Sequence, residues 1–418
     1  MNYNLVFILN WRDVNLPLVL SQTFDQAEFQ ATQAGAFRPD SVHVWILTPF
    51  RFWLGSERRN YAKLISKRCP HIKVDFIPGI SRLSFFPARI LVKLFATQIR
   101  DSKVFHFRGE SSFNLFRKIY RKKISDFYLL DVRGYWPAEW LYTQGFESEY
   151  HVPTKLRDIH ESLKADLIDA IKNADGVVTV SNNLATLITE GYDAFKLINV
   201  VPCCVSRLTL EDKRSELRAK LGVTDDEMLL VYSGGYAKYQ HLEDLIIPFM
   251  KLLCDMNEKI KILILSHQVQ TIKSIVERIY PADNRFNYIS ASQTDVGDYL
   301  SACDLGFLLR KQTLVNRVAQ PVKVGEYLAA GVPVVVEGEV GGVTDKLFEY
   351  GAGLSVLLDG QSIDAWHKVG ANVIAYAKRG ELNRVASRRL AKDYFLWETS
   401  IVKQRYFYQL VINSKNNP

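Results

Sequence analysis

A strand–helix–strand pattern between residues 302 and 345 limits the possible folds of this chain more than any other part of its sequence. Residues 303–309 form a short apolar run that predicts a strand, and a polar loop follows it. Pro321 suits the first position of a helix over 322–330, because its missing N–H has no intrahelical partner there. The β-branched run at 332–336 predicts a second buried strand. This order indicates a parallel α/β sheet.

The charges of this segment indicate an anion-binding helix N-terminus. Lys323 lies in the predicted first turn, where a cation opposes the helix macrodipole unless an anion binds nearby. Free amides at that end already favour phosphate, and Arg317 precedes them. Lys323 and Glu326 are three residues apart and share a helix face, which would offer a cation to phosphate and a carboxylate to hydroxyls. A sugar nucleotide fits this combination; a solvated basic loop beside an ordinary buried helix is the alternative.

The order AQPVKVGEYLAAGVPVVV resembles the donor-site segment of family 4 glycosyltransferases, which have the GT-B fold. A Pro-x-Lys-x-x-Glu-Tyr-Leu version occurs in members that build polysaccharides, and five residues match it: Pro321, Lys323, Glu326, Tyr327 and Leu328. In the family, the matching Glu holds the nucleotide ribose, and nearby bases neutralise the leaving diphosphate. The family has an earlier Glu where this chain has Val318.

Length and composition bound the remaining possibilities. A chain of 418 residues is too long for one ordinary core, so two domains are expected. No apolar run reaches the roughly 18–20 residues of a membrane span, and the first residues lack the features of a secretory signal. Five cysteines without metal or disulfide spacing favour a reducing cytoplasm. The net charge of +8 allows phosphorylated ligands, an anionic membrane or nucleic acid as partners.

In the first half, two predicted strands end in Arg-Gly. His106 and Arg108 lie at the end of one strand, and Asp131 and Arg133 at the end of the next. Open α/β sheets bind ligands at the carboxyl ends of their strands, and Arg keeps its charge there. Strand caps and a structural His are the alternatives.

The family resemblance extends to these residues. Its N-domains often carry Asp-x-Arg-Gly followed by acids, which four residues match: Asp131, Arg133, Gly134 and Glu139. The family's His after the fourth strand is placed at His106, which would contact the donor sugar or the reacting centre. The resemblance implies an acceptor site formed by Arg108, Asp131, Arg133 and Glu139.

A second series of strands starts near residue 228. Gly234 and Gly235 follow its first strand, and glycine there would let a phosphate approach, although many strand–helix turns use Gly. The family's diphosphate-clamping Arg and Lys align with Gly235 and Gln240, so Lys238 between them is the expected substitute.

Two further loops enter the expected donor site. His267 ends the next strand, where related proteins hold the nucleobase, and Gly341 lies in a glycine loop that the family places by the donor sugar. A flexible turn is the alternative for the second loop. The expected donor residues are Gly234, Gly235, Lys238, His267, Arg317, Pro321, Val322, Lys323, Glu326 and Gly341, with His106, Lys238, Lys323 and Glu326 acting in catalysis.

Residues 82–124 are rich in aromatic and basic side chains, with five bases between 117 and 123. Helices with solvated basic edges explain this pattern, and so does docking on anionic lipid, where each base contributes about 1 kcal/mol. A nucleic-acid surface is not expected, because no nucleic-acid-binding motif accompanies the charge.

We therefore predict an α/β protein of the GT-B fold with two Rossmann-like parallel-sheet domains facing across a cleft. The acceptor domain covers 1–203, the nucleotide-sugar domain covers 204–390, and a helix within 391–418 crosses back to the first domain. The resemblance implies a retaining hexosyltransferase that moves a sugar from a nucleotide sugar to a saccharide or lipid-linked acceptor in cell-surface polysaccharide synthesis.

The chemistry expected of this enzyme needs no metal. No Asp-x-Asp metal clamp is evident in the sequence, and the cations Lys238, Arg317 and Lys323 with helix amides would stabilise the leaving diphosphate. A nucleotide-sugar-binding GT-B protein that is an epimerase, or that lacks transfer activity, is the alternative. The expected location is the cytoplasm, with the inner face of the membrane as a candidate docking surface.

Overall fold

The chain divides into two compact units in a computed structural model. The structure describes residues 2–13, 16–78, 85–99, 102–150, 152–192, 196–210, 213–281, 283–292 and 295–416. The first unit joins Met1–Ser206 with Trp397–Pro418, and the second is Arg207–Leu396. The expected boundaries at 203/204 and 390/391 fall slightly earlier. At the second boundary this is because the helix that ends at Leu390 continues through a π-helical turn, Ala391–Phe395.

The described part of the first unit contains a seven-stranded parallel sheet. Its strands are β1 (Asn4–Asn10), β2 (Ser41–Thr48), β3 (Lys73–Pro78), β4 (Lys103–Arg108), β5 (Asp126–Val132), β6 (Gly176–Thr179) and β7 (Leu197–Val200). They lie in the order β3-β2-β1-β4-β5-β6-β7. In the central register, Ile8 pairs with Trp45 on one side and Phe107 on the other. β1 is buried along its whole length, as expected of a strand covered on both faces.

The described part of the second unit contains a six-stranded parallel sheet. Its strands are β8 (Met228–Ser233), β9 (Ile260–Leu265), β10 (Phe286–Ile289), β11 (Leu305–Leu308), β12 (Val334–Glu337) and β13 (Gly353–Val356). They lie in the order β10-β9-β8-β11-β12-β13. The predicted parallel α/β architecture is confirmed in both units. The edge strand β13 was not predicted, because it is only four residues long and its two middle residues, Leu354 and Ser355, are not buried.

Helices connect the strands in both units. In chain order the α-helices of the described residues are α1 (Leu16–Val19), α2 (Asp25–Thr32), α3 (Phe50–Leu54), α4 (Glu57–Arg68), α5 (Phe85–Gln98), α6 (Gly109–Ile119), α7 (Trp136–Thr143), α8 (Thr154–Asn173), α9 (Asn182–Gly191), α10 (Arg214–Lys220), α11 (Ile247–Met256), α12 (Val269–Ile279), α13 (Val296–Ser301), α14 (Leu314–Val318), α15 (Val322–Ala329), α16 (Thr344–Tyr350), α17 (Ile363–Ala377), α18 (Glu381–Leu390) and α19 (Trp397–Asn416). Within these residues, none of the helices has the length and apolar character needed to cross a membrane.

The last helix completes the core of the first unit. Trp397, Ile401 and Tyr408 of α19 belong to the same buried cluster as Leu5 and Phe7 of β1. All strands of each sheet run in one direction, so the loops after their carboxyl ends lie along one edge. Those loops carry most of the residues that the sequence analysis assigns to ligand binding.

Candidate functional site

The glycine loop after β8 contacts the end of β9. A Cβ added at Gly235 would lie 2.9 Å from Oε1 of Gln268 and 3.2 Å from Cε1 of His267. The Tyr236 amide donates a hydrogen bond to the same Gln268 oxygen over 2.7 Å. A residue with no side chain permits this approach. The structure therefore brings Gly234, Gly235 and His267 together, as the sequence analysis expected.

Arg310 reaches the turn that follows this loop. Its guanidinium lies 5.2 Å from the ring centre of Tyr239, and Nη2 lies 3.3 Å from Oε1 of Gln240. Only 7% of Arg310 is exposed. Arg310 was not among the donor-site residues expected from the sequence. Lys238 opens the same turn, Lys238–Gln240, but its side chain lies outside the part of the chain that the structure describes.

Lys323 and Glu326 face each other on α15. Nζ of Lys323 donates to Oε2 of Glu326 over 2.9 Å, and the two side chains are 31% and 27% exposed. A partly exposed ion pair of this kind contributes at most about 1 kcal/mol to stability. Each side chain can therefore leave its partner and contact a ligand at little cost in free energy. Pro321 is not the first helical residue as predicted, because its ψ of 131° is extended; the helix begins at Val322.

The glycine loop after β12 packs on the segment that precedes α15. The Gly341 amide donates to the carbonyl of Arg317 over 3.1 Å. Gly341 has a φ of +52°, and a Cβ there would lie 2.3 Å from the Ala319 carbonyl oxygen. The side chain of Gln312 accepts the Glu339 amide over 3.0 Å and fixes the start of this loop. Arg317 and Gly341, both expected in the donor site, are therefore neighbours.

Two positions of the segment that resembles the family are structural. The Tyr327 hydroxyl accepts the amide of Ser233 over 2.7 Å, which ties α15 to the end of β8. Burial raises the pKa of Tyr327 well above its usual value, so the hydroxyl stays neutral. Val318, where the family has a Glu, is 3% exposed and packs in the interior.

In the first unit, three basic side chains converge on one carboxylate oxygen. Oδ2 of Asp131 lies 2.9 Å from Nε of Arg133, 3.2 Å from Nε2 of His106 and 3.5 Å from Nη1 of Arg108. Burial alone would raise the pKa of Asp131, but the charges of Arg133 and its other basic neighbours hold it well below the usual range. The ends of β4 and β5 thus carry an ionised, fully buried carboxylate.

His106 lies inside the core. Its ring centre is 4.8 Å from that of Phe7, and Nδ1 is 3.0 Å from the hydroxyl of Tyr408 on α19. The residue is 1% exposed, and burial lowers its pKa, so the imidazole is neutral. This differs from the expected contact with the donor sugar or reacting centre, because Phe7, Asp131 and Tyr408 enclose the ring. His106 is placed to orient Asp131.

Glu139, on the first turn of α7, lies against the Arg-Gly turn after β5. A Cβ added at Gly134 would lie 2.0 Å from Oε1 of Glu139. Burial raises the pKa of Glu139. Within the described residues its carboxylate forms no ion pair, so it can accept a hydrogen bond from a ligand hydroxyl.

One group of three side chains among the described residues has the spacing of a metal site: Glu149, His160 and Glu161. Nζ of Lys164 lies 2.6 Å from Glu149 and 3.3 Å from Glu161. The lysine ammonium therefore already pairs with both carboxylates. Metal-independent chemistry remains a prediction.

Comparison with known proteins adds relatives for the fold. No protein-family model matches the chain. N-acetyl-α-D-glucosaminyl L-malate synthase of Bacillus anthracis is 22% identical over 181 residues, which are 42% of this chain and 45% of the synthase. The match thus spans less than half the length of that curated relative.

Solved structures match over nearly the whole chain. HepE from Anabaena, in complex with UDP, superimposes with a TM-score of 0.67 at 14% identity, covering 97% of this chain and 100% of HepE. Sucrose-phosphate synthase from Thermosynechococcus elongatus gives a TM-score of 0.66 at 13% identity, covering 99% and 100%. The chain has the GT-B fold.

Proposed function

We propose that this protein is a retaining family 4 glycosyltransferase that moves a sugar from a nucleotide sugar to a saccharide or lipid-linked acceptor in cell-surface polysaccharide synthesis. The observation that carries the proposal is the arrangement at the start of α15. Lys323 and Glu326 share one face there, and the Gly341 loop packs on the preceding segment next to Arg317. HepE, which shares the fold, was crystallised with UDP, so uridine nucleotides are the first donors to test.

The second unit supplies what departure of the diphosphate requires. Breaking the bond between C1 of the sugar and the diphosphate oxygen leaves negative charge on that oxygen. Lys323, Arg317 and the buried Arg310 would stabilise it, together with the amides at the start of α15. Removing one such group typically costs about 10²–10³ in rate. Glu326 would hold the ribose hydroxyls, and no metal ion is required.

The first unit supplies the acceptor site in this proposal. Arg108 is the last residue of β4, and Arg133 and Glu139 follow the carboxyl end of β5, where an open parallel sheet binds ligands. Asp131 anchors both arginines, and His106 with Tyr408 holds Asp131 in place. His106 is therefore a positioning residue.

Binding is tested first with a panel of nucleotide sugars. A true donor raises the melting temperature, and stabilisation reaches about 2.7 kcal/mol when its concentration is 100 times Kd. NMR of the product made from that donor should show a retained anomeric configuration. Binding without turnover, or release of a free epimerised sugar, would favour the alternative instead.

The site residues are tested in the same transfer assay. Lys323→Ala and Glu326→Ala should each lower kcat/KM by about 10²-fold while leaving the melting temperature unchanged, because the pair is half-exposed. Lys346→Ala is the matched control, since Lys346 forms an equally spaced pair with Glu349 on α16, 2.6 Å apart. The proposal fails if both α15 variants transfer sugar at the wild-type rate.

We also propose that the first unit docks on the anionic inner face of the membrane. Phe86, Ile90 and Leu94 follow one another at four-residue spacing on α5 and are 74%, 47% and 53% exposed. Arg89 and Lys93 lie beside them and form no ion pair within the described residues. An exposed apolar stripe with flanking bases is typical of a helix that lies in a lipid interface.

The loop after α6 adds to this surface. Ile124 is 97% exposed and directly follows a segment that contains the bases Arg121 and Lys123. Two of the other three bases differ, since Arg117 pairs with Asp169 and Lys122 with Asp175.

Vesicle co-sedimentation tests the membrane surface. The protein should bind phosphatidylglycerol-containing vesicles and not pure phosphatidylcholine, and binding should weaken about tenfold in Ile90→Ser, consistent with the loss of one apolar side chain. Phe348→Ser, which removes an 87% exposed phenyl ring from α16 of the second unit, is the control and should bind like wild type. Equal binding by Ile90→Ser and wild type would contradict the proposal.

A further inference from the structure

Positive charge exceeds negative charge around Asp131. Two guanidinium groups, those of Arg108 and Arg133, contact a single carboxylate oxygen. His106 does not alter the balance, because its burial favours the neutral imidazole. Glu139 forms no ion pair with either arginine within the described residues. Among the residues that the structure describes, the cluster therefore holds one positive charge without a compensating anion.

The two guanidinium groups also have N–H donors that are not fully satisfied by hydrogen bonds. Nη2 of Arg133 is a buried N–H donor without a hydrogen-bond partner in the described residues, and Nη1 of Arg108 has only the long 3.5 Å contact with Asp131. An unsatisfied buried donor costs about 1–3 kcal/mol, and more when it is charged. Burial, and next repulsion from Arg133, lower the pKa of Arg108 to about 10. An anion at this position would satisfy the donors and balance the charge.

The two arginine side chains are mostly buried but keep some exposure to solvent. The side chains of Arg108 and Arg133 are 13% and 11% exposed. Gly109, immediately after β4, has a φ of +77°, and nothing lies within 4 Å of a Cβ added there. It also begins α6, an eleven-residue helix whose N-terminus favours negative charge. The forked donors of Arg match the paired oxygens of a carboxylate or phosphate.

We propose that Arg108 and Arg133 bind a carboxylate or phosphate group of the acceptor, so that the acceptor is an anionic hydroxy compound. This inference rests on the proposed function for the sugar transfer itself. Glu139, beside Gly134, is the hydrogen-bond acceptor for a hydroxyl of the same molecule. A neutral saccharide would leave the charge and the two N–H donors unmatched.

Titration with inorganic phosphate tests the anion site directly in the full-length protein. Saturating UDP occupies the donor site, and the melting temperature then reports phosphate binding elsewhere. Arg133→Gln should weaken phosphate binding at least tenfold, whereas Asp131→Asn removes the competing carboxylate and should tighten it. If the cluster has only a structural role, neither substitution should change phosphate binding. Arg117→Gln, which breaks the pair with Asp169, is the control and should behave like wild type.

Matched acceptors identify the group that binds. Glucose 6-phosphate and glucuronate are each compared with glucose, and at least one anionic form should have a tenfold higher kcat/KM. Arg133→Gln should abolish the preference, and Arg133→Lys, which keeps the charge but loses the fork, should retain part of it. If Arg133→Gln does not fold, Arg108→Gln replaces it in both assays.

The two proposals fail in different ways. Phosphate binding with the expected response of both variants, but without sugar transfer, would overturn the proposed function and leave the anion site standing. Equal use of glucose and its anionic forms, together with no saturable phosphate effect, would overturn the anion site and leave sugar transfer standing.

Discussion

Arg310 illustrates how the setting of one side chain determines what it can bind. Its guanidinium is 7% exposed and lies against Tyr239 and Gln240, at the same sheet edge as the Gly235 loop. Charge interactions are stronger at a partly buried edge than in water, because the effective dielectric constant is lower. A cation held in this way does not lose side-chain entropy when a diphosphate binds.

Replacing Arg310 should therefore affect the phosphates of a ligand and not its base. Arg310→Gln should weaken UDP binding by about 10–100-fold, the effect of losing one charged hydrogen bond, and leave uridine binding unchanged. Isothermal titration of both ligands measures the difference. Arg379→Gln is the control, because Arg379 also lies over a tyrosine ring, 5.1 Å from Tyr376. Equal loss of UDP and uridine affinity would show a general packing defect.

His43 gives the stability of the first unit a dependence on pH. Burial, and next the charge of Lys73, lower its pKa to about 4 from 6.5. The unfolded chain therefore takes up this proton at higher pH than the folded chain, and stability falls as pH decreases from 6.5 towards 4. At 1.36 kcal/mol for each pKa unit, the loss between pH 7 and pH 5 is about 2 kcal/mol.

Urea unfolding at pH 7 and pH 5 measures this effect. His43→Gln should reduce the difference in unfolding free energy between the two pH values by that amount, while His106, with a lowered pKa, continues to contribute in the same direction. His71, whose side chain is 63% exposed, provides the control variant His71→Gln. An unchanged pH dependence in His43→Gln would contradict the assignment.

At the scale of elements, the Gly341 loop packs closely on the segment before α15. This packing shapes the proposed donor site. Gly341→Ala would place a methyl group 2.3 Å from a backbone carbonyl that cannot move without displacing the helix start. Gly360→Ala is the matched control, because Gly360 has a φ of +72° and open space around it. The control should cost about 1 kcal/mol from the left-handed backbone alone.

Comparison of the two glycine variants isolates the close contact. Gly341→Ala should lower the unfolding free energy by about 1–3 kcal/mol beyond the control, as overpacking does, and should weaken UDP binding at the same time. Thermal melting with and without UDP measures both effects. Identical melting temperatures for the two variants would show that the loop yields freely and does not shape the site.

The elements also show which inferences a sequence allows. The strands are short apolar runs that end in polar residues, so their places and the edge carrying the ligand residues were predictable. The pairing of Lys323 with Glu326 follows from helical spacing alone. The burial of His106 was not predictable in this way, since Tyr408, which encloses it, is 302 positions away in the sequence. β13 was missed for another reason, because its four residues form too short an apolar pattern.

Arg310 was missed for the same kind of reason as the burial of His106. A basic residue after a strand is usually solvated. Arg310 is buried because it contacts Tyr239 and Gln240, which belong to another loop. Domain boundaries were predictable to within a few residues. The family segment indicated where the proposed donor site lies, while the excess charge around Asp131 is visible only in the structure.

At the scale of the whole molecule, the first unit is assembled from two separated stretches of chain. Nε1 of Trp397 donates to the carbonyl of Ser21 over 3.0 Å. Arg405, 1% exposed, donates to Oε1 of Gln30 over 3.1 Å and to the carbonyl of Gln33 over 2.9 Å. Without α19, these donors and acceptors and a large part of the apolar core would be open to water. The second unit, by contrast, is one continuous stretch.

This difference predicts how the chain can be divided. A fragment of residues 207–396 should fold, unfold cooperatively and keep UDP-induced stabilisation, because it contains every residue of the proposed donor site. A fragment of residues 1–206 should lack a cooperative transition, since removal of several large buried side chains costs about 2–5 kcal/mol each, which together exceeds the stability of an ordinary domain. Joining 397–418 to it through a flexible linker should restore the transition. Circular dichroism during thermal unfolding measures all three fragments. If 1–206 alone unfolded as cooperatively as the joined form, α19 would be an accessory to that core and the chain would consist of two sequential units.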